Sequence, residues 1–572
     1  MEIEKGIFSF MDKYILGLNI ANHDSAAALI KNGEIVKFVE QERVSRNKLA
    51  LGEAPVDAIL ECLKSEKISI KDIDAVSVGM DWKYRNKLYQ MTAEEKAKYE
   101  IFEDPKFYLP ENVFGNQLPP IHIVKHHLAH AASACRVSGF KECAVLVIDN
   151  RGEDASTSLG IYKGGKINFF RQVNIQNSLG IFYNRAARFT GLYGKYREVG
   201  KFMGLASYGV PSMKMPLSYS EDNNLFKELP NLDKLGIFDS IEKRTSQFKQ
   251  YFEENCFPYE SGNSDEIMSY ANFDASVQKA LEDTLIGFVK DLKDVTRMDN
   301  LVISGGIALN CSANGKIVKT GIFKNVFVPP FPSDAGTAVG AALEIYHKLF
   351  GKAQTESKLV MAGLGTSYSQ ETVISELKPY VDSNSISYSV KEERELYDFV
   401  AKAIAEGNII GWMQDGFEAG PRALGYRSLL ADPRTRRSLI RLNKVKQREM
   451  WRPIAPSVLS EKYSEYFEGK ADSRYFMNVA AIVLENKRKE IPAVVHVDTT
   501  ARPQAVTCKQ QKYYNLLSAF YRLTGVPVLC NTSFNRKGEP LVNTPKDAIE
   551  CFLNCEIDML VIGNIVIRRN AC

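Results

Sequence analysis

No two of the ten cysteines form a Cys-x-x-Cys pair; they are scattered from Cys62 to Cys572 in a chain of 572 residues. Zinc-finger and thioredoxin-like readings therefore lack their ligands, and the missing secreted framework points to free thiols in a reducing cytosol, so a cytoplasmic protein is expected. Long apolar runs are missing too. None approaches the ~18 residues that a membrane-crossing helix needs. Residues Met1 to Phe10 mix acidic and basic side chains without an apolar stretch or small-residue cleavage site, so neither a membrane partner nor a secretory leader is expected. Charge of one sign is scarce: 73 Lys and Arg against 69 Asp and Glu leave +4, too little to argue for nucleic acid or a membrane surface. No internal repeat and no low-complexity tract is visible. What is present is 45% hydrophobic and 25% charged, as in an ordinary globular protein. At ~100 to 200 residues per domain the length suggests about three compact units.

Histidine is also rare, and its distribution is uneven: three of the seven fall within Lys125 to His130. A helix over Lys125 to Arg136 puts His126 and His130 on one face, where their imidazoles can share an ion. His127 points to another face and is left out. An HxxxH pair alone is more often two satisfied surface histidines; the concentration of the residue shifts the odds. Asp149 ends the apolar strand Val145 to Ile148, at the sheet edge where α/β folds bind ligands. Asp334 follows a Pro-Ser turn and completes a candidate set of four. Two imidazoles with carboxylates suit iron(II), manganese or zinc.

Along the chain, Tyr14 to Ile20, Ala26 to Ile30 and Ile35 to Gln41 read as strands, joined by the polar loop Ala21 to Ser25 and an Asn32-Gly33 hairpin turn. The basic loop Arg43 to Lys48 follows. A strand that ends at Asp149 repeats the idea, and Leu301 to Ser304 breaks at Gly305-Gly306 before Asn310. That turn either brings backbone close to a nucleotide, with a helix start offering free N–H groups, or is simply tight. Met213 to Ala271 is polar and reads as an irregular insertion that contributes to an acceptor pocket. Phe273 to Lys293 and Gly336 to Leu349 read as helices. Residues 351–391 loosen in composition and read as a connecting segment, which divides the chain into units at 1–350 and 392–572. In the second unit a helix at Leu396 to Glu406 and a strand at Ile409 to Met413 precede a Gly- and Pro-fixed loop with Arg422 and Arg427. Further on come Arg452, Arg502, Asn531 and Ser533, each in an irregular segment beside an apolar strand. Converging guanidinium forks match phosphate or carboxylate oxygens. Any one of these arginines could equally pair with a surface acid.

The strings HHLAHAASA, SGGIALN, PSDAG, GPRALGYRSLLADPR, WRPIAPSVL, HVDTTARPQ and VPVLCNTSFNRKGEP resemble, in order and over nearly the whole chain, the O-carbamoyltransferases that act on nodulation factors, cephems and tobramycin. Departures are modest: Arg151 follows Asn150 where many members carry Gly-Arg, and Met1 to Lys13 extends before the first strand. The resemblance implies an α/β protein with an actin-like (ASKHA) two-lobed ATPase domain followed by a YrdC-like domain. It implies an enzyme that converts carbamoyl phosphate and ATP to carbamoyl-adenylate in the C-terminal domain and transfers the carbamoyl group to an acceptor hydroxyl in the N-terminal one. Arg422, Arg452, Arg502, Asn531 and Ser533 match its anion- and nucleotide-binding positions, and Asp149, Gly305, Gly306 and Asn310 belong to the second nucleotide site. His126, His130, Asp149 and Asp334 match its metal ligands, with iron(II) the implied ion. His23 and Lys48 match positions lining the transfer site, so His23 is the candidate base and Lys48 an anion contact; a structural hydrogen bond for His23 is the competing role.

The implied partners are a small hydroxylated natural product and, for assembly, a homodimer. Two other readings are kept. A hydrogenase-maturation carbamoyltransferase joins the same domains but carries an acylphosphatase segment and CxxC zinc fingers, which this sequence lacks. An actin-like ATP-binding regulator would have no transfer chemistry, and pyrophosphate release that depends on carbamoyl phosphate separates it from an enzyme.

Overall fold

The computed structural model describes residues 12–570 except 22, 90–92, 195–198, 233, 234, 236, 257–265, 352–357 and 471–473; residues 1–11 of the N-terminal extension lie outside the described residues. Tyr14–Asn19 (β1), Ala26–Lys31 (β2) and Glu34–Glu40 (β3) form an antiparallel meander. Asn32 and Gly33 both take positive φ, 52° and 86°, which is what a two-residue hairpin turn of matching twist requires. Ala75–Val78 (β4) and Ile121–Ile123 (β5) join in parallel on the other side of β1, and the order is β3-β2-β1-β4-β5.

Glu142–Ile148 (β6), Ala155–Lys163 (β7), Lys166–Asn174 (β8), Asn300–Ser304 (β9) and Asn325–Phe327 (β10) repeat this plan in the order β10-β9-β6-β7-β8. In each sheet three antiparallel strands come first, and the fourth and fifth then add in parallel beside the first. The duplication is the two-lobed actin-like plan. It is an internal repeat of topology that the sequence does not display, because a lobe needs only the right alternation of apolar residues and not the same residues. β6 illustrates this. Ala144, Leu146 and Ile148 face one core while Val145 and Val147 face another, so the strand is covered on both sides and reads as a continuous apolar run.

The helices that follow the fifth strand of each lobe, His126–Cys135 and Thr337–Phe350, pack against each other. A Cβ on Gly340 would stand 1.8 Å from the Ala129 carbonyl oxygen, so the glycine is what lets the two backbones touch. One of these helices carries the histidine pair and the other begins just after Asp334, so this contact sets the separation of the metal-ligand candidates.

Ile386–Val390 (β11), Ile410–Met413 (β12), Arg427–Ala431 (β13), Ala455–Leu459 (β14), Ala481–Ile482 (β15), Thr500–Ala501 (β16), Gln504–Val506 (β17), Val528–Ser533 (β18), Met559–Ile562 (β19) and Ile565–Arg569 (β20) make up the C-terminal part. Eight of them form one mixed sheet, β11-β20-β19-β12-β13-β18-β14-β17, and β15 pairs with β16. Here the structure departs from the expected connector at 351–391. Gln370–Asp382 is a helix, and β11 is the edge strand paired with β20. Both escaped notice because they bury little: the helix hides only Val373 and Leu377, and β11 only Ile386. The insertion expected at Met213 to Ala271 also differs. It contains the 19-residue helix Ile237–Asn255, whose Phe248 and Phe252 are fully buried against Phe182. Its exposed polar face had masked helically spaced apolar residues.

The N- and C-terminal parts are stitched by side chain to backbone contacts. Arg43 donates to the Gly420 carbonyl at 2.9 Å, Arg46 to Leu541 at 2.6 Å, Arg422 to Leu309 at 3.0 Å and Asn478 to Pro329 at 2.7 Å. Guanidinium groups that donate to buried carbonyls fix orientation as well as contact.

Asp274, on the helix Ala271–Thr296, is fully buried, and among the described residues neither of its carboxylate oxygens has a hydrogen-bond partner. Burial pushes its carboxyl up to about 9 from 3.8, so the folded chain holds a proton there that the unfolded chain releases. Stability supplied by that proton is fully present below the unfolded value and is lost as pH rises toward the folded one. Asp274→Asn should remove this dependence: the unfolding free energy of the wild type, measured by denaturant titration, should fall relative to the variant between about pH 5 and about pH 8, at up to about 1.4 kcal/mol per pH unit. Parallel curves for the two proteins would show that Asp274 is ionised in the fold.

Candidate metal centre and anion cavity

The expected four ligands meet. His126 and His130, one helical turn apart, bring their Nε2 atoms to 3.1 Å. Asp149 Oδ2 and Asp334 Oδ1 each lie 3.6 Å from His126 Nε2, and Asp334 Oδ1 is 3.5 Å from His130 Nε2. All four donor atoms fall within 4.8 Å of one another. His126 Nδ1 lies 3.0 Å from the Gly79 carbonyl oxygen, which can only accept, so Nδ1 carries a proton and Nε2, facing the carboxylates, is the atom that could bind a cation once its own proton has left. That second contact is what orients a metal-binding imidazole. Burial opposes a positive charge on His126, yet the hydrogen bonds to Asp149 and Asp334 hold it well above the ordinary imidazole value. The two carboxylates thus draw a positive charge into a buried place, and a divalent cation fits the donor set. Glu153 was missed by the sequence reading. Its carboxylate accepts from the His126 amide at 2.9 Å and from the Asp81 amide at 2.9 Å, and so tethers the start of the histidine helix. His127 is turned away, with Nδ1 2.7 Å from Ser158 Oγ.

Purified protein is expected to carry about one divalent ion per chain, and His130→Ala to lose it. Elemental analysis checks this. Unchanged stoichiometry in the variant would remove His130 from the ligand set.

Asp149 is held by the glycine turn: Gly306 N–H donates to its Oδ1 at 3.0 Å, while Gly305 N–H donates to the Pro332 carbonyl at 2.8 Å. Gly305 has φ 94°, and a Cβ there would lie 2.2 Å from the Ile148 carbonyl oxygen. The turn thereby joins the end of β6, the end of β9 and the loop of Asp334. Asn310 is spent locally: its Oδ1 caps the helix Cys311–Lys319 by accepting from Ala313 N–H, and its Nδ2 donates to Gln278.

These carboxylates open on a cleft of about 370 Å³ that is also lined by His23, Gly306 and Leu309. Asp24 Oδ2 accepts from His23 Nδ1 at 3.0 Å, and Asn19 ties this loop to the Asp334 side by donating to the Asp24 carbonyl and accepting from Thr337. Lys48 is not brought to the cleft. Its backbone neighbour Leu49 accepts from the Asp24 amide at 2.7 Å, but the Lys48 charge lies near Lys446, whose ammonium donates to Ser533 and Asn535. Burial first, and neighbouring cations second, hold Lys446 down at about 7.

A second cavity, about 140 Å³, is lined by Arg422, Arg448, Arg452 and Arg502 from the C-terminal part and by Gly200, Cys311 and Ser312 from the N-terminal part. Arg422 Nε, Arg448 Nη2 and Arg502 Nε are buried with no hydrogen-bond partner among the described residues. Burial and then the charges of Arg502 and Arg452 hold Arg422 down at about 9, and Arg448 is held at about 9 by burial, Arg452 and Arg502. Glu449 lies 3.8 Å from Arg452 and 3.3 Å from Lys201. Crowded, desolvated and unsatisfied cations of this kind suit an anion chemically. Arg448 was not singled out from the sequence, although it stands four residues before Arg452. Asn531 and Ser533 do not line the cavity: Asn531 donates to Ser457 at 3.0 Å and to the Ala423 carbonyl at 3.2 Å, and Ser533 accepts from Lys446 at 3.2 Å. Arg427 does not reach an anion either. It is fully buried and donates to the Gln414, Asp415, Tyr426 and Thr366 carbonyls.

Comparison with known families decides what this pair of sites belongs to. The description "Carbamoyltransferase N-terminus" matches residues 14–343, and "Carbamoyltransferase C-terminus" matches residues 401–569. The chain belongs to the carbamoyltransferase family. It is 35% identical to nodulation protein NolNO of Sinorhizobium fredii over 571 residues, 96% of this chain and 80% of that one. It is 33% identical to a 3'-hydroxymethylcephem-O-carbamoyltransferase of Streptomyces clavuligerus over 274 residues, 47% of this chain and 49% of that one. Among solved structures, full-length HypF in its phosphate- and nucleotide-bound form is similar at 14% identity and TM-score 0.33, covering 60% of this chain and 47% of that one, too remote to carry a functional argument. Family membership makes this carbamoyltransferase an enzyme and sets aside the reading as a regulator without transfer chemistry. No helix among the described residues is long and apolar enough to cross a membrane.

Proposed function

We propose that this carbamoyltransferase makes carbamoyl-adenylate from carbamoyl phosphate and ATP in the arginine cavity, then passes the carbamoyl group to a hydroxyl of a small natural product in the cleft beside His126, His130, Asp149 and Asp334. Water first cleaves carbamoyl phosphate to carbamate and phosphate. A carbamate oxygen attacks the α-phosphorus of ATP, and pyrophosphate leaves. The acceptor oxygen then attacks the carbamoyl carbon, its proton passes to a base, and AMP departs. The observation that carries this reading is the set of buried, unpartnered guanidinium nitrogens on Arg422, Arg448 and Arg502. Each step in that cavity develops charge on phosphoryl oxygens, and fixed donors stabilise such charge without reorganisation.

The cleft and the cavity lie on either side of one turn: Leu309 lines the first, and Cys311 and Ser312 line the second. A labile mixed anhydride benefits from that proximity. A divalent cation, iron(II) by family resemblance, would be held by His126, His130, Asp149 and Asp334 and would supply positive charge to phosphate or carbamoyl oxygens. His23, fixed through Nδ1 by Asp24, is the candidate base. The test is pyrophosphate release from ATP with and without carbamoyl phosphate. Release that requires carbamoyl phosphate is expected; release indifferent to it, or formation of ADP alone, overturns the proposal.

A further inference from the structure

The cleft has a second charged feature that the chemistry above does not use. Arg185 and Arg188 sit three residues apart on the helix Leu179–Phe189, Arg151 lies in the loop between β6 and β7, and all three line the cleft. Among the described residues none of these three guanidinium groups has a carboxylate within ion-pair distance. Arg188 instead stacks on Tyr193, with its guanidinium carbon 4.1 Å from the ring centre. A fourth cation, Arg85, is packed among Trp82, Tyr89 and Tyr99 at 4.2 to 5.0 Å from their ring centres, which keeps it in place without a counter-charge.

The acids lining this cleft are accounted for elsewhere. Asp24 is engaged by His23, and Asp149 and Asp334 belong to the cation site, which among the described residues leaves Glu242 as the other lining carboxylate against four arginines. Arg185 is held below its ordinary value by burial first and by the repulsion of Arg188 second, an arrangement that a bound anion relieves. None of the four belongs to the glycine turn at Gly305-Gly306 or to the loop of Asp334.

From this arrangement we infer that the acceptor is an anion: a hydroxylated molecule bearing a phosphate, sulfate or carboxylate that Arg185, Arg188 and Arg151 grip while the hydroxyl is presented to the transfer site. The inference rests on the cleft being the acceptor site. A neutral or cationic acceptor would leave these cations uncompensated, and a cationic one would be repelled.

The test measures binding without turnover, so its failure is distinct from a failure of carbamoyl-phosphate-dependent pyrophosphate release. Glucose, glucosamine, glucuronate and glucose 6-phosphate are titrated calorimetrically into the wild type and into Arg185→Gln/Arg188→Gln, whose thermal midpoint is compared first. The wild type should bind the two anionic probes on the order of tenfold or more tightly than the other two. The double variant should lose that preference, and Arg185→Lys/Arg188→Lys should keep part of it. Equal binding of the four probes, or binding of none, overturns the inference, as does a preference that survives in the double variant. The nucleotide is the alternative anion. If ATP displaces glucose 6-phosphate and loses affinity in the double variant to the same extent, the arginines serve the nucleotide and the acceptor assignment falls.

Discussion

Arg448→Ala is expected to lower carbamoyl-phosphate-dependent pyrophosphate release by ~100-fold to 1,000-fold, the usual cost of removing one fixed donor to a developing oxyanion. Arg502→Ala should do the same. The physical case is the cavity's imbalance. Four guanidinium groups share about 140 Å³, three of them keep a buried nitrogen unsatisfied, and Arg422 and Arg448 are each held at about 9. An empty cavity of this kind is destabilising, so a bound polyphosphate should stabilise the fold. Ligand present at about 100 times its dissociation constant adds about 2.7 kcal/mol. Tripolyphosphate should therefore raise the thermal midpoint of the wild type, and the rise should shrink in Arg448→Ala while the midpoint without ligand is unchanged or higher. Pyrophosphate release at the wild-type rate in both alanine variants would remove the cavity from the first half-reaction. Arg427→Ala is no substitute for these variants. Arg427 is tied to four backbone carbonyls, and its loss would break the fold around Gln414 to Tyr426 and report nothing about anions.

That His126, His130, Asp149 and Asp334 come together was legible in the sequence because the signals are local and chemically rare. An i, i+4 histidine pair in a chain with few histidines, a carboxylate at the end of an apolar strand and a Pro-Ser-Asp turn each carry information within about ten residues. The opening hairpin was legible for the same reason, since Asn32-Gly33 specifies its own turn. What failed to show was whatever depends on partners far away in the chain. The duplication of the lobes is a fact of strand order and leaves no repeated residues. Arg427 and Arg422 look alike in sequence, five residues apart in one Gly-rich loop, yet one is consumed by buried carbonyls and the other lines the arginine cavity. Only tertiary contacts separate them. Lys48 is next in the chain to Leu49, whose carbonyl accepts from the Asp24 amide, but Lys48 does not line the cleft. β11 went unread because an edge strand with one buried residue has no alternation to display.

The two half-reactions should come apart by mutation, since His23 lines the cleft and the arginines line the cavity. His23→Asn is expected to carbamoylate an acceptor ~100-fold to 10,000-fold more slowly, the range for loss of a general base. Its pyrophosphate release should be spared. Asn keeps the size and one polar contact to Asp24 but cannot take up a proton, so the loop that runs from Asn19 through Asp24 to Leu49 should persist. That persistence separates a lost base from a lost fold. A structural role predicts a fall in thermal midpoint with transfer and pyrophosphate release declining together. A catalytic role predicts an unchanged midpoint and loss of transfer alone. Synthetic carbamoyl-adenylate sharpens the comparison by entering after the first half-reaction: Arg502→Ala should use it, and His23→Asn should not. The opposite pattern would place activation in the cleft and transfer in the arginine cavity. In that case the unsatisfied guanidinium groups would be gripping the acceptor's own anion, and the order of the two sites along the reaction would have to be reversed.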